Sequence, residues 1–227
     1  MRVLVKLLLL AALLASAAQA AEPRVIAIDA GHGGKDRGAV VRRIEENAVT
    51  LAIANKIASE FRRHEGFSPY LTRWEDVFVP LSERVDRAEQ VGGKAFISIH
   101  ADKADGRKPK GVIVWFYGAN KRIPKGPPRE PNERLRPAPP KDVIVQSRFL
   151  AERVQNSLRK RGVKLAAYAD KGGFAVLKSD KMPSILIEVG NMRDPGEWAL
   201  MQDPAFQDKL AKAVVQGVAA YLGSPVN

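Results

Sequence analysis

Cysteine is absent from all 227 residues, histidine occurs three times, and aromatic residues make up only 7% of the chain. The first absence excludes disulfides and thiolate metal sites, so a transition metal would have to be held by imidazole and carboxylate. That makes His32, His64 and His100 the positions to follow. Also missing is any apolar run of the ~20 residues that span a bilayer. The stretch within MRVLVKLLLLAALLASAAQA comes closest, but its apolar core is about 15 residues long. It follows Arg2 and Lys6 and ends on Ala18-Gln19-Ala20, small residues suited to signal peptidase. Residues 1–20 therefore read as a signal peptide cleaved after Ala20, which places the mature chain in the periplasm, outside the cell or in the cell wall. No cysteine follows the apolar run, so a lipid anchor there is excluded. No internal repeat is visible.

What is present suits one domain. Hydrophobic residues make up 45% of the chain, enough to fill a proper core. The formal charge is +12, and loss of Arg2 and Lys6 with the leader leaves 35 basic and 25 acidic residues, or +10. Such a field favours an anionic polymer or an acidic membrane surface, and export argues against nucleic acid. A cationic surface that is merely solvated accounts for the same charge.

After the leader, short apolar runs alternate with helical periodicity. VIAID (25–29), YLT near 70, AFISIH (95–100), GVIVWFY (111–117) and SILIEV (184–189) read as strands. Helical patterns occupy 46–64, 81–91, 143–161 and 205–222. This predicts an α/β fold: a single three-layer domain over 23–223, with a mostly parallel twisted sheet and helices on both faces. The segment 118–142 breaks the pattern with seven prolines and seven basic residues, so no helix or central strand runs through it. It reads as a long basic loop inside the domain.

Ligand sites of open α/β sheets lie beyond the carboxyl ends of the strands. His32 follows VIAID by two residues, within DAGHGG; His100 closes AFISIH, and Glu188 nearly closes SILIEV. If those strands are parallel and adjacent, the three side chains share one rim. On the helix beginning near 46, Val49, Ile53, Ile57 and Phe61 mark the apolar face, and Glu46 projects onto its centre. Glu45 lies about 100° away and is accounted for by the helix dipole. A carboxylate directed at the sheet is costly unless compensated, and a bound cation compensates it. His64 shares that face but lies ~27 Å along a continuous helix, so it is read as a residue of the helix C-terminus, before Gly66. His32, Glu46 and His100 remain: two imidazoles and a carboxylate, the donor set of a catalytic zinc site with one position left for water.

Several blocks together carry a resemblance. DAGHGGKDRGA (29–39), Glu46 opening a helix that continues VTLAIANKIA, YLTRWEDVFVPLSERVDRAE (70–89), AFISIHAD (95–102), GVIVWFY and PSILIEVGNM (183–192) occur in order over nearly the whole mature chain. They resemble the zinc-dependent N-acetylmuramoyl-L-alanine amidases of the type 3 amidase family. The resemblance implies one Zn²⁺ per chain on His32, Glu46 and His100, with Glu188 as the catalytic carboxylate. It also implies peptidoglycan as substrate, cut at the amide between the lactyl group of N-acetylmuramic acid and the L-alanine that begins the stem peptide. A zinc hydrolase acting on another wall amide and a non-catalytic wall-binding protein are the competing readings. Ala30, Asp102 and Asn191 depart from the family pattern, and the spacing from His32 to Glu46 is about one residue short. Arg37, Arg73 and Arg84 lie in or near the shared blocks. They suit either stem-peptide carboxylates or surface ion pairs with Asp76, Glu83 or Asp86. In some relatives the region of the 118–142 loop carries an inhibitory helix, which the prolines here make a poor fit. A cationic tether to wall or membrane is the other use of that loop, and a protein activator remains open.

Overall fold

The computed structural model describes residues 22–102, 110–118, 134–166, 171–224 and 226; the leader and residues 119–133 of the proline-rich loop lie outside them. In chain order come strand β1 (Arg24–Ala30), the short strands β2 (Val40–Val41) and β3 (Ile44–Glu45), and helix α1 (Glu46–Phe61). There follow β4 (Phe67–Leu71), α2 (Leu81–Gln90), β5 (Ala95–Asp102), β6 (Ile113–Tyr117) and α3 (Lys141–Lys160). The chain ends with β7 (Lys171–Gly172), a 3₁₀ turn (Ala175–Leu177), β8 (Ser184–Asn191), α4 (Pro195–Gln202) and α5 (Pro204–Tyr221).

Six strands form one sheet in the order β4-β1-β5-β8-β6-β7. All neighbours are parallel except β6, which runs antiparallel to β8. Alternation along the strands separates two apolar layers. Ile26, Ile28, Ile97, Ile99, Ile185 and Ile187 face one side, where they pack with residues of α1, α3 and α5 such as Ile53, Leu150 and Val214. Ala27, Phe96 and Leu186 face the other, covered by Val85 and Ala88 of α2 and by the 3₁₀ turn. The predicted three-layer domain is therefore present, with a thick helical layer on one face and a thin one on the other.

Several short pieces of local structure were not anticipated, β7 and the 3₁₀ turn among them, and two bear on the site. The first is α4, which precedes the predicted C-terminal helix. Two Asp-Pro steps start the two helices: the Asp194 carboxylate accepts from the backbone N–H of Gly196 and Glu197, and Asp203 accepts from that of Ala205. Proline occupies the first helical position in each, where its missing N–H is harmless. The second is the β2–β3 hairpin, in which Val40 pairs with Glu45 and Val41 with Ile44. Its two-residue turn is Arg42-Arg43, at φ 52° and 69°. Left-handed backbone costs an L-residue about 1–2 kcal/mol, which is why Asn-Gly dominates such turns. This tight turn lies between His32 and Glu46 in the chain.

The described end of the proline-rich loop is held firmly. Arg136 is buried and forms a two-pronged ion pair with Glu89, at 2.9 and 2.7 Å, with Asp86 at 2.5 Å from the same guanidinium. Residues 134–140 are thereby fastened to α2.

Candidate metal centre

Beyond β1 the chain turns sharply, and the turn is built around a buried charged network. Arg73 and Arg84 are 0% and 1% exposed, which excludes both surface ion pairing and contact with a ligand. Arg73 donates to the carbonyls of Ala30, Gly31, Asn47 and Glu75. Arg84 donates to the carbonyls of Ala30, His32 and Val79 and to the Asp29 carboxylate at 2.9 Å. The two side chains thus satisfy the carbonyls of a loop that has left the sheet. Burial next to Arg84 pulls the Arg73 pKa down to about 10, still charged at neutral pH. Asp29 accepts in addition from the hydroxyls of Thr72 and Ser98. Burial alone would raise its pKa; Arg84 and the two hydroxyls overcome this and hold it below the usual carboxylate range.

On this platform His32 adopts φ 61°. A histidine in left-handed backbone is strained and persists only where its surroundings over-determine it. Its ring is held by Asp36, whose Oδ2 lies 2.8 Å from Nδ1, so that Nε2 faces Glu46 Oε2 at 3.1 Å. Glu46 opens α1 and projects inward, 5% exposed, as its place on the apolar face predicts. Its other oxygen, Oε1, faces His100 Nδ1 at 3.1 Å. Backbone N–H groups of Ala39 and Ala101 donate to the same carboxylate. Glycine is required at two points of this arrangement. A Cβ on Gly31 would sit 2.4 Å from the His100 ring, and one on Gly38 would sit 2.6 Å from Glu46 Oε2 and 2.7 Å from the His32 ring.

His32, Glu46 and His100 each offer one donor atom, and the three atoms lie within 4.8 Å of one another. The donor chemistry suits a metal ion. Two imidazole nitrogens and a carboxylate oxygen converge, and the remaining nitrogen of His32 is held by a carboxylate, the outer-shell contact typical of metal-binding histidines. Burial lowers the His32 pKa, but Asp36 and Glu46 more than offset it and raise it to about 9. Burial likewise opposes ionisation of Glu46, yet the bonds from His100 and His32 hold its pKa far below the ordinary value. An imidazolium cannot ligate a metal, so metal binding at His32 is linked to loss of that proton.

The parallel, adjacent placement of β1, β5 and β8 brings the strand ends to one rim, as expected. His100 and Glu188 are register partners on β5 and β8, so their side chains emerge on the same face of the sheet. His64 stands apart. Helix α1 ends at Phe61, three residues earlier than the pattern suggested, and His64 lies 3.6 Å from Glu60. Glu45 pairs with Arg37 at 2.5 Å. Asp36, Asp29, Arg73 and Arg84 are the functional supports that sequence reasoning missed or misplaced. Arg73 and Arg84 were singled out by the shared blocks but given other partners, and Asp29 and Asp36 were marked only by their closeness to His32 in the chain.

Near its end β8 bulges: His100 pairs with Glu188 but Asp102 with Asn191. Glu197 of α4, 9% exposed, braces this bend. Its Oε2 accepts from Asn191 N at 2.7 Å and its Oε1 from Gly111 N at 2.5 Å.

Comparison with known proteins agrees with this architecture. The family described as N-acetylmuramoyl-L-alanine amidase matches residues 26–220. The chain is 34% identical over 221 residues to N-acetylmuramoyl-L-alanine amidase AmiA of Escherichia coli K12, covering 87% of this chain and 76% of that one. To AmiC of Escherichia coli O6:H1 it is 30% identical over 220 residues, covering 88% of this chain but only 53% of AmiC, about half its length. The solved catalytic domain of CwlV, an N-acetylmuramoyl-L-alanine amidase of Bacillus (Paenibacillus) polymyxa var. colistinus, is 28% identical with a TM-score of 0.71. That match covers 88% of this chain and 98% of the domain. With the matched span running from β1 to the last turn of α5, the chain belongs to the type 3 N-acetylmuramoyl-L-alanine amidase family.

Proposed function

We propose that His32, Glu46 and His100 hold one Zn²⁺ and that Glu188 is the catalytic carboxylate for the family's reaction. That reaction is hydrolysis of the amide between the lactyl group of N-acetylmuramic acid and the L-alanine of the peptidoglycan stem peptide. The observation that carries the reading is the convergence of three donor atoms within 4.8 Å at the rim where Glu188 also emerges.

Held by His32, Glu46 and His100, a zinc ion would supply Lewis acidity toward the scissile carbonyl and the attacking water. Glu188 takes the proton from the attacking water and delivers it to the departing α-amine of L-alanine as the C–N bond breaks. The products are the lactyl carboxylate and a free amino terminus. Asp36 keeps the His32 ring aimed at the ion, and Arg84 keeps its backbone in place.

Localisation and domain limits belong to the same proposal. Residues 1–20 act as a cleaved leader, 23–223 form the catalytic domain with the 118–142 loop within it, and the enzyme works in the periplasm or at the wall. No helix among the described residues is long and apolar enough to cross a membrane. The basic surface supplies peripheral contact with wall or membrane, and nucleic acid is not a partner.

Digestion of purified sacculi tests the reaction. The expected result is new L-alanine amino termini, no new reducing sugar, and loss of both signal and activity with chelator. Release of a different amino terminus would assign the enzyme to another wall amide. Glu188→Gln is expected to lower turnover by about 10²–10⁴-fold with zinc still bound. Near wild-type activity in that variant would remove Glu188 from the mechanism.

A further inference from the structure

The ladder of the β2–β3 hairpin does not stop at its last paired residues. Below Val41–Ile44 and Val40–Glu45, the next pair in register is Ala39–Glu46. Hydrogen-bonded and non-hydrogen-bonded pairs alternate along an antiparallel ladder, and Ala39–Glu46 is of the bonded kind. The Glu46 N–H donates to the Ala39 carbonyl at 2.8 Å. The return bond differs from that of an ordinary ladder. Glu46 is the first residue of α1, so its carbonyl turns along the helix, and the Ala39 N–H donates instead to its carboxylate Oε2, at 2.9 Å. That same oxygen faces His32 Nε2. The ligand side chain is therefore itself a rung of the hairpin.

The element that holds this rung is weakly built. Its turn, Arg42-Arg43, lies in left-handed backbone, and none of its four strand residues is fully buried, Val40 being 37% exposed. A groove of about 540 Å³, with Arg43, Ile44 and Glu45 along the hairpin and Ala48, Leu51 and Asn55 along the outer side of α1, gives the hairpin room to move. A strained turn and few buried contacts mark a segment that opens locally while the rest of the fold stays closed. Resting on the zinc site proposed above, we infer that the hairpin is a latch on Glu46, and that its opening gates entry and exit of the metal ion. Opening breaks the Ala39–Glu46 rung and releases the carboxylate from His32 and His100. Arg42 and Arg43 act as positioning residues through the backbone they occupy: the strain of their turn sets how readily the latch opens. An Asn-Gly turn in their place would hold the latch shut and slow exchange of the ion.

Zinc release into saturating chelator tests this directly. Arg42→Asn/Arg43→Gly relieves the strain and is expected to slow release about tenfold. Arg42→Gln/Arg43→Gln removes the two charges but keeps the left-handed turn, and is expected to release zinc at the wild-type rate. Equal slowing in both variants would assign the effect to charge and overturn the latch. A second variant locks the hairpin outright. Val40 and Glu45 face each other as a non-hydrogen-bonded pair, whose Cα atoms lie about 4.5 Å apart, within the span of a disulfide. The natural chain has no cysteine, so in Val40→Cys/Glu45→Cys the two new thiols have only each other within the chain. The oxidised form is expected to keep its zinc in chelator until reductant is added, and the reduced form controls for loss of the Arg37–Glu45 pair. Equal release from the oxidised and reduced forms overturns the proposal. Hydrogen exchange in the zinc-free chain reads the latch without metal: the Ala39 and Val41 amides should gain about tenfold protection in the Asn-Gly variant. That gain in a chain that binds no zinc would uphold a hinged hairpin and overturn the metal reading instead; its absence overturns the latch.

Discussion

At the scale of single residues, the site is organised by groups that never touch the metal position. Asp36 sets the His32 ring so that Nε2, not Nδ1, faces Glu46. Outer-shell carboxylates of this kind fix ring orientation and raise ligand basicity. Asp36→Asn is therefore expected to weaken zinc binding about 10–100-fold, read by competition with a chromophoric chelator, while Tm of the zinc-free protein changes little. An unchanged affinity would show that the strained backbone of His32 alone aims the ring. His32, Glu46, His100 and Glu188 were legible because each stands where a general rule makes a polar side chain conspicuous: at the end of an apolar strand, or in the middle of an apolar helical face. Asp36 was not legible, since a short exposed-looking Lys-Asp-Arg run carries no pattern. Arg73 and Arg84 misled for a related reason. Arginine is normally a surface residue, and nothing local says that these two are enclosed by a loop 40 or more residues away in sequence.

At the scale of elements, strands and long helices announced themselves through periodicity, whereas the short pieces did not. The hairpin has strands of two residues, too brief to show alternation, and its turn lacks the usual Asn-Gly signature. Helix α4 has eight residues, and its Asp-Pro start was hidden beside the stronger pattern of α5. Yet α4 carries Glu197, which ties the bulged end of β8 to Gly111 at the entry to β6. Bulges next to active sites re-aim the side chains beside them. Both carboxylate oxygens of Glu197 accept backbone N–H groups, and an amide offers only one acceptor. Glu197→Gln is thus expected to destabilise the fold by about 1–3 kcal/mol. On the roles proposed for Glu188 and for the metal site, it should also lower kcat by about tenfold through misplacement of Glu188, with KM and zinc content preserved. A variant that loses stability but keeps kcat would reduce Glu197 to a structural brace.

At the scale of the whole molecule, the buried pair Asp29–Arg84 joins β1, α2 and the metal loop into one cooperative unit. Because the folded-state pKa of Asp29 lies below its unfolded value of 3.8, the pair's contribution is fully present above that value. It disappears as pH falls through the lower, folded-state pKa. Acid unfolding followed by circular dichroism is expected to show a stability loss concentrated below about pH 4, and a shallower acid limb in Asp29→Asn. An equally steep limb in that variant would place the acid sensitivity in other carboxylates.

The sequence by itself determined the fold class, the single domain and the four conspicuous polar residues, because apolar periodicity records which faces are buried and a polar group on such a face stands out. The tertiary structure alone decided that β1, β5 and β8 are neighbours, that Asp36 holds the His32 ring, and that Arg73 and Arg84 hold the loop from within. It also showed that Arg42 and Arg43 occupy a strained turn beside a groove. These facts depend on strand order and on which distant segments enclose a side chain. A linear pattern cannot encode them, since strand pairing and enclosure are relations between residues far apart along the chain.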